Sequence, residues 1–196
     1  MQPIGGLILA AGEGRRFGSP KQLAPLHGRP LLEHALLAMA GARSIGAVVV
    51  VLGAHAQAIR EAVELHGAQA VLATDWADGQ SASLRAGVAA LAERVEAITI
   101  TLGDQPGMTA AAIDAVAAAR DRGSLAVRAT WAGRPGHPVL LERALFAKVG
   151  ELRGDEGARS LLDHARVRLV ACDGLGEDAD IDTPAQLVVR EGTFHP

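Results

Sequence analysis

Short apolar runs recur along the first hundred residues and alternate with longer segments of mixed polarity. Four of these runs, at 6–10, 47–52, 68–73 and 97–102, are apolar at nearly every position. Strands that are covered on both faces of a parallel sheet have this pattern, because neither face meets water. The four runs are therefore predicted as buried parallel strands.

The segments between the runs have the spacing of helices. Apolar side chains recur at intervals of three and four across 31–42, 56–66 and 81–95, as on one face of an α-helix. In the second half, less regular patterns predict helices at 109–120, 143–152 and 158–164, strands at 125–130, 138–141 and 167–172, and a last helix from Pro184. The alternation predicts an α/β fold: a doubly wound, mostly parallel sheet in three layers, α/β/α.

Composition and charge narrow the class of protein. The 196 residues suit a single domain with a packed core, and no linker divides 1–196. The net charge of −3 provides no basic field for nucleic acid, and no apolar run is long enough to span a membrane. Cys172 is the only cysteine, so neither an internal disulfide nor a cysteine zinc cluster can form. We expect a cytoplasmic protein with no nucleic-acid or membrane partner.

A glycine-rich loop, AGEGRRFGSPK at 11–21, follows the first predicted strand. The spacing of Gly12, Gly14 and Gly18 fits neither a dinucleotide fingerprint nor a Walker loop. Small residues let backbone N–H groups point at phosphate oxygens, while Arg15 and Lys21 add positive charge. The chain has 17 arginines and two lysines, so the compact ammonium at position 21 departs from its usual cation. The loop predicts phosphate binding, with a tight strand-to-helix turn as the alternative.

Two further segments carry carboxylates towards the ligand-binding edge of the predicted sheet. Asp104 follows the fourth strand in TLGDQPG, and Asp182 lies in EDADIDTP ahead of Pro184. Mg²⁺ prefers one or two carboxylates together with water and substrate phosphates. Each aspartate also has a structural interpretation, Asp104 as a turn residue and Asp182 as a helix cap.

The loop TDWADGQSAS and the turn GRPGHP complete the candidate chemistry. Asp75, Gly79 and Ser81 lie between a strand and a helix whose N-terminus can accept a negative or polar group. A capped helix under Trp76 explains the same residues without a ligand. His137 either contacts a substrate or only fixes its turn.

Five segments, in this order and spacing, resemble the MobA-like nucleotidyltransferases, and most closely the molybdenum cofactor cytidylyltransferases. They are LAAGEGRRFGSPKQL, LGDQP, GRPGHPVLL, GDEGAR and DIDTP. The resemblance implies a Rossmann-like nucleotidyltransferase fold with a nucleotide-binding half, 1–108, and an acceptor-binding half, 109–196. It implies that the phosphate of a molybdopterin-type acceptor attacks the α-phosphorus of a nucleoside triphosphate, with Mg²⁺ as cofactor and pyrophosphate as leaving group. A client molybdoenzyme would then be a further partner.

The resemblance also implies roles for individual residues. Arg15, Lys21 and Asp104 would be catalytic, and Asp104 and Asp182 would hold Mg²⁺. His137 would face the acceptor. The nucleotide would contact Leu9, Ala10, Ala11, Gly12, Gly14, Arg15, Lys21, Asp75, Gly79 and Ser81.

The start of the glycine loop indicates the base. Guanylyltransferases of the family typically have LAGG there, whereas residues 9–12 of this chain are LAAG, as in the cytidylyl branch. CTP is therefore the expected donor. The alternatives are a guanylyltransferase, another nucleotidyltransferase with a sugar-phosphate-like acceptor, and a non-catalytic carrier of the pterin cofactor.

Overall fold

A seven-stranded sheet organises the chain in the computed structural model, which describes residues 3–193. Its strands are β1 (Ile4–Ala10), β4 (Ile45–Leu52), β5 (Gln69–Leu72), β6 (Ala97–Leu102), β7 (Ala126–Trp131), β8 (Arg134–Glu142) and β9 (Val167–Ala171). They lie in the order β5–β4–β1–β6–β8–β7–β9. A small hairpin apart from the sheet pairs β2 (Pro25–Leu26) with β3 (Arg29–Pro30).

Helices cover both faces of the sheet, as predicted. They are α1 (Leu31–Gly41), α2 (Ala56–Ala62), α3 (Gln80–Leu91), α4 (Ala110–Ala118), α5 (Phe146–Val149), α6 (Ala158–Leu162) and α7 (Pro184–Thr193). Neighbouring strand residues point to opposite faces, so Ile8 packs in a core with α1 and α4, and Leu7 in a second core with α3, α5 and α6. The doubly wound, three-layer α/β prediction is confirmed.

The strand predictions rest on burial, which the structure reproduces for β1, β6 and the second half of β4. The prediction of a buried strand is wrong for β5, because this strand lies at the edge of the sheet and its Leu72 is 56% exposed. Leu7, Ile8, Val50 and Val51 have no exposed surface. Full burial of a side chain of this size stabilises the fold by about 1.5–3 kcal/mol. Strands that are buried on both faces therefore have apolar runs without alternation.

The direction and length of β8 were not predicted. It pairs antiparallel with both β6 and β7 and extends well before the predicted start at Pro138. Ala132 and Gly133 join β7 to β8 with φ of 48° and 75°, the left-handed values that a two-residue hairpin needs. Glycine adopts such values readily but alanine rarely does, so only Gly133 of the two turn residues indicates a hairpin in the sequence.

Several helices are shorter than predicted. The segment predicted as one helix over 143–152 is a 3-10 turn, Arg143–Leu145, followed by α5. The helix predicted over 56–66 ends at Ala62, and His66 and Gly67 turn the chain with φ of 47° and 82°. The helix predicted from Pro184 is present as α7.

This topology collects loops at one edge of the sheet. The parallel strands β1, β4, β5 and β6 end there. Because β8 runs the opposite way, its first residues lie at the same edge. In the described part of the chain, no helix is both long and apolar enough to cross a membrane.

Candidate functional site

A cavity of about 510 Å³ opens at this edge of the sheet. Its walls come from the glycine loop after β1, the loop between β5 and α3, the end of β6 and one residue of the segment after α5. The lining residues are Leu9, Ala10, Ala11, Gly12, Glu13, Gly14, Arg15, Lys21, Gln22, Trp76, Ala77, Gly79, Gln80, Ser83, Leu102, Gly103, Asp104 and Asp155. Cavities of this size hold small molecules in other proteins.

The glycine loop forms one wall with its backbone. Gly14 has a φ of 73°, and its carbonyl accepts hydrogen bonds from the N–H groups of Phe17 and Gly18 at 2.8 and 3.2 Å. A left-handed residue at this point folds the chain back on itself, which a side chain would strain. The predicted nucleotide-binding residues 9–12, together with Gly14, Arg15 and Lys21, therefore line one continuous surface.

Lys21 joins the two carboxylates predicted for a metal. The 3-10 turn Lys21–Leu23 directs its side chain inward, and Nζ lies 2.5 Å from Oδ2 of Asp104 and 2.9 Å from Oδ1 of Asp182. Burial lowers the pKa of Lys21, but the charges and hydrogen bonds of the two aspartates outweigh it and raise the pKa above its usual value. The hydrogen bond from Lys21 in turn lowers the pKa of Asp182. The lysine is therefore fixed in its charged form.

The segment that carries Asp182 is fixed to the loop after β6. Gln105 is buried, and its Nε2 donates to the carbonyl of Asp178 at 2.9 Å and to Oδ1 of Asp180 at 2.8 Å. The N–H of Ile181 donates to the carbonyl of Asp104 at 2.9 Å. These bonds bring together two carboxylates that lie 78 positions apart in the sequence.

Asp104 has one carboxylate oxygen without a partner. Oδ1 is buried and makes no hydrogen bond within the described residues, while Oδ2 binds Lys21. An unpaired buried carboxylate oxygen is unfavourable, and it is a ligand that Mg²⁺ and similar hard cations prefer. The donor set of Asp104 and Asp182 therefore fits a divalent cation once Lys21 has moved from between them.

The third predicted loop contributes fewer residues to the cavity than the sequence suggested. Gly79 lines it with a φ of 105°, and a Cβ at this position would clash with the backbone of Gly154. Asp75 and Ser81 do not line it: both side chains bind Arg85, at 2.9 and 3.1 Å. Both contacts are structural, because Arg85 on α3 joins the loop at Asp75 to the first turn of the helix at Ser81.

Arg15 and Arg16 differ in their surroundings. Arg15 lines the cavity, but its side chain is 84% exposed and pairs with Glu13 at 2.7 Å. Arg16 donates to Oδ2 of Asp182 at 2.9 Å, the carboxylate oxygen that Lys21 does not bind. Two cations thus compensate Asp182, and Arg15 stays at the mouth of the cavity.

His137 lies on the other side of Asp104 from the glycine loop. The register of β8 against β6 pairs Val139 with Ile100, which puts His137 beside the carboxyl end of β6. The Trp131 indole N–H donates to its carbonyl at 2.7 Å. Burial, followed by the charge of Arg128, lowers the pKa of His137 to about 4. The ring is therefore neutral at neutral pH.

This low pKa predicts a loss of stability in acid. An unfolded histidine binds its proton near pH 6.5, whereas His137 does so only near pH 4. Its contribution is therefore complete above pH 6.5 and is lost as the pH falls towards 4. Between pH 7 and 4.5, the free energy of unfolding should fall by roughly 2 kcal/mol more in the wild type than in His137→Asn. Urea unfolding of both proteins at the two pH values measures this; equal losses would contradict it.

Several site residues were not predicted from the sequence. Gln22 and His55 bind the glycine loop, Gln105 orients the segment of Asp182, and Asp155 lines the cavity beside Gly79. Gln22, Gln105 and Asp155 do lie inside the motifs LAAGEGRRFGSPKQL, LGDQP and GDEGAR. Nothing in the local sequence distinguishes a glutamine that binds a loop from an ordinary surface glutamine.

The fold and the site together define the class of the protein. A glycine loop at the carboxyl end of a central parallel strand, with a lysine and carboxylates beside it, is suited to phosphate groups and a cation. The class is that of the nucleotidyltransferases. More particularly, the chain belongs to the MobA-like NTP transferase family, because the model of the MobA-like NTP transferase domain matches residues 6–169.

The chain is also similar to named relatives and solved structures along nearly its whole length. The chain is 34% identical to nicotine blue oxidoreductase of Paenarthrobacter nicotinovorans, with 94% of both chains covered. It is 31% identical to the purine catabolism protein PucB of Bacillus subtilis, with 92% of both covered. The crystal structure of Rv0371c from Mycobacterium tuberculosis superimposes with a TM-score of 0.84 at 30% identity, over 98% of both chains. A second structure of Rv0371c is a complex with manganese; it has a TM-score of 0.76 at 29% identity and covers 97% of this chain and 98% of that one.

Proposed function

We propose that this protein transfers the cytidylyl group of CTP to the phosphate of a molybdopterin-type acceptor and releases pyrophosphate, with Mg²⁺ as cofactor. One observation carries the proposal. The cavity joins the glycine loop, whose N–H groups at 12–16 donate to no other group of the described residues, to a lysine that is bound by two carboxylates, Asp104 and Asp182. A triphosphate and its cation need these two kinds of group side by side.

The nucleotide would lie along the cavity in a defined direction. Phosphates suit the end formed by Gly12, Gly14 and Lys21, next to Asp104. The base then falls at the opposite end, near Trp76 and Gly79. Arg15 would leave Glu13 for the phosphates, because it is exposed and free to turn.

The chemical step needs no side-chain base. A phosphate monoester of the acceptor is largely ionised at neutral pH, since its second pKa lies near 6. One of its oxygens forms a bond to the α-phosphorus, and the bond from the α-phosphorus to the bridging oxygen of pyrophosphate breaks. Lys21 would stabilise the negative charge on the transferring phosphate, as a fixed cation does in such sites.

The carboxylates of Asp104 and Asp182 would hold the cation. Bound there, Mg²⁺ supplies positive charge to the phosphate oxygens of the nucleotide. The manganese complex of Rv0371c supports a divalent metal in this family. Lys21 would exchange its carboxylate partners for phosphate oxygens when the nucleotide binds.

The base and the acceptor are the finer parts of the proposal. The opening LAAG at 9–12 supports CTP, because these residues line the cavity and differ from the LAGG typical of guanylyltransferases. His137 supports an acceptor on the far side of Asp104, since a neutral imidazole can bind polar groups without adding charge. A cytoplasmic location and delivery to a client molybdoenzyme complete the proposal.

Pyrophosphate release tests the proposal directly. The purified protein is given a molybdopterin acceptor, Mg²⁺ and each of CTP, GTP, ATP and UTP in turn. CTP should give the fastest release, and omission of the acceptor or of Mg²⁺ should stop it. CTP at about a hundred times its dissociation constant should also stabilise the fold by about 2.7 kcal/mol in a thermal shift.

Other outcomes of this assay would replace the proposal. Preference for GTP would indicate a guanylyltransferase on the same scaffold. Nucleotide binding without pyrophosphate release from any triphosphate would indicate a carrier of the pterin cofactor.

A further inference from the structure

The side chains of Gln22 and His55, which were not among the predicted site residues, bind backbone carbonyl groups at the end of β1 and in the glycine loop. Nε2 of Gln22 donates to the carbonyl oxygens of Ala10 and Gly12, at 3.0 and 2.8 Å. Nε2 of His55 lies 3.0 Å from the carbonyl oxygen of Glu13. A carbonyl oxygen can only accept, so both nitrogens carry the hydrogen.

Backbone groups bind the remaining carbonyls of the same stretch. The N–H of Ala54 donates to the carbonyl of Ala11 at 3.3 Å, and that of Phe17 donates to the carbonyl of Gly14 at 2.8 Å. Every carbonyl from 10 to 14 therefore has a donor within the protein. In contrast, the N–H groups of 12–16 donate to no other group of the described residues.

The division of the two kinds of backbone group determines what the loop can bind. The C=O and N–H of one peptide group point in opposite directions, so a carbonyl held towards the protein leaves the following N–H facing away from it. Consecutive N–H groups that face a cavity attract anions, whereas carbonyl oxygens would repel them. The donors that bind the loop carbonyls thus leave a surface of N–H groups, with partial positive charge, towards the cavity.

We propose that Gln22 and His55 are positioning residues for the triphosphate. By holding the carbonyl groups of Ala10, Gly12 and Glu13 towards the protein, they present the N–H groups of the loop to the phosphates. This inference rests on the proposed function, because it takes a nucleotide triphosphate as the ligand of the loop.

The burial of Gln22 supports this role. The residue is 3% exposed, and its Oε1 is buried without a hydrogen-bond partner among the described residues. A free amide would turn to satisfy that oxygen, because an unsatisfied buried acceptor destabilises a fold. The carbonyl groups of Ala10 and Gly12 instead hold the amide with its nitrogen towards the glycine loop. The position of Gln22 directly after Lys21 also couples the loop to the catalytic lysine.

His55 permits a test that leaves the core intact. It is half-buried at the start of α2. His55→Leu removes the donor, whereas His55→Gln keeps an amide N–H near the place of Nε2. His34 provides a matched control, because its Nε2 binds the carbonyl of Leu26 at the same distance of 3.0 Å but neither residue lines the cavity.

The experiment compares these variants by calorimetric titration with CTP–Mg²⁺ and with inorganic triphosphate. His55→Leu and Gln22→Met should each weaken the binding of both probes by about tenfold or more, because loop N–H groups that no longer face the cavity lose their hydrogen bonds to the charged phosphates. His55→Gln should restore most of the affinity, and His34→Leu should bind like the wild type. Urea unfolding of each variant shows whether its fold is retained; His55→Leu and His55→Gln decide the question if Gln22→Met does not fold.

Two results would overturn the inference. Folded His55→Leu that binds both probes like the wild type would show that the loop needs no support, and a loss in His55→Gln as large as in His55→Leu would show that the donor is irrelevant. If the wild type itself bound neither probe, the proposed function would fail together with the inference, and the variants would not be needed to show it.

Discussion

Asp104→Asn should reduce pyrophosphate release by about 10³-fold, because it removes a negative ligand from the proposed cation site. The change keeps the size of the side chain and leaves the backbone bond from Ile181 to the carbonyl of Asp104 in place. The fold should therefore survive. The rate of release with CTP, Mg²⁺ and acceptor measures the effect, with circular dichroism to verify the fold.

A matched control separates this effect from a general loss of charge. Asp163 is exposed, lies at the end of α6 and does not line the cavity. Asp163→Asn should release pyrophosphate at the wild-type rate. If Asp104→Asn retained substantial activity, the proposed role of Asp104 would be wrong.

Lys21→Met should have two opposite effects. Catalysis should fall by about 10²–10³-fold, as for the loss of one fixed group that stabilises transition-state charge. The affinity for Mn²⁺ in the absence of nucleotide should instead rise by about tenfold or more, because a positive charge between Asp104 and Asp182 no longer opposes the metal. An effect of this size requires only about 1.4 kcal/mol, whereas a charge pair at 4 Å near a protein surface is worth about 4 kcal/mol.

Loss of the electron paramagnetic resonance signal of free Mn²⁺ measures this affinity. Lys148, the other lysine of the chain, lies exposed on α5. Lys148→Met should change neither the metal affinity nor the rate. Weaker Mn²⁺ binding by Lys21→Met would mean that the lysine helps to form the metal site instead of blocking it.

The sequence predicted the parallel half of the sheet because its signals are local. The apolar runs of β1, β6 and the second half of β4 reflect burial on both faces, which each strand shows by itself. The hairpin of β7 and β8 depends on left-handed φ at Ala132, an unfavourable choice that the surrounding structure imposes. The sequence alone therefore indicated a strand at 138–141 but not its antiparallel direction or its earlier start at Arg134.

The candidate site divides in a similar way. Gly12 and Asp104 closely follow the ends of β1 and β6, so their position at the carboxyl edge can be predicted, and Lys21 belongs to the same loop as Gly12. The same reasoning predicted Asp75 as a site residue, yet its carboxylate binds the guanidinium of Arg85 and does not line the cavity. The role of His55 depends on a contact with Glu13 across 42 positions, and no sequence pattern indicates such a contact.

The bond between Lys21 and Asp182 joins groups 161 positions apart. Contacts of such long range form late in folding, because the chain loses the entropy of closing a large loop before the contact can stabilise it. The strand pairing of β1 and the bond between His55 and the glycine loop involve segments no further along the chain than β6, whereas the charged centre must wait for the segment before α7. A partly folded chain would therefore have the anion-binding loop without its completed acidic centre, and it would not hold a cation there before folding is finished.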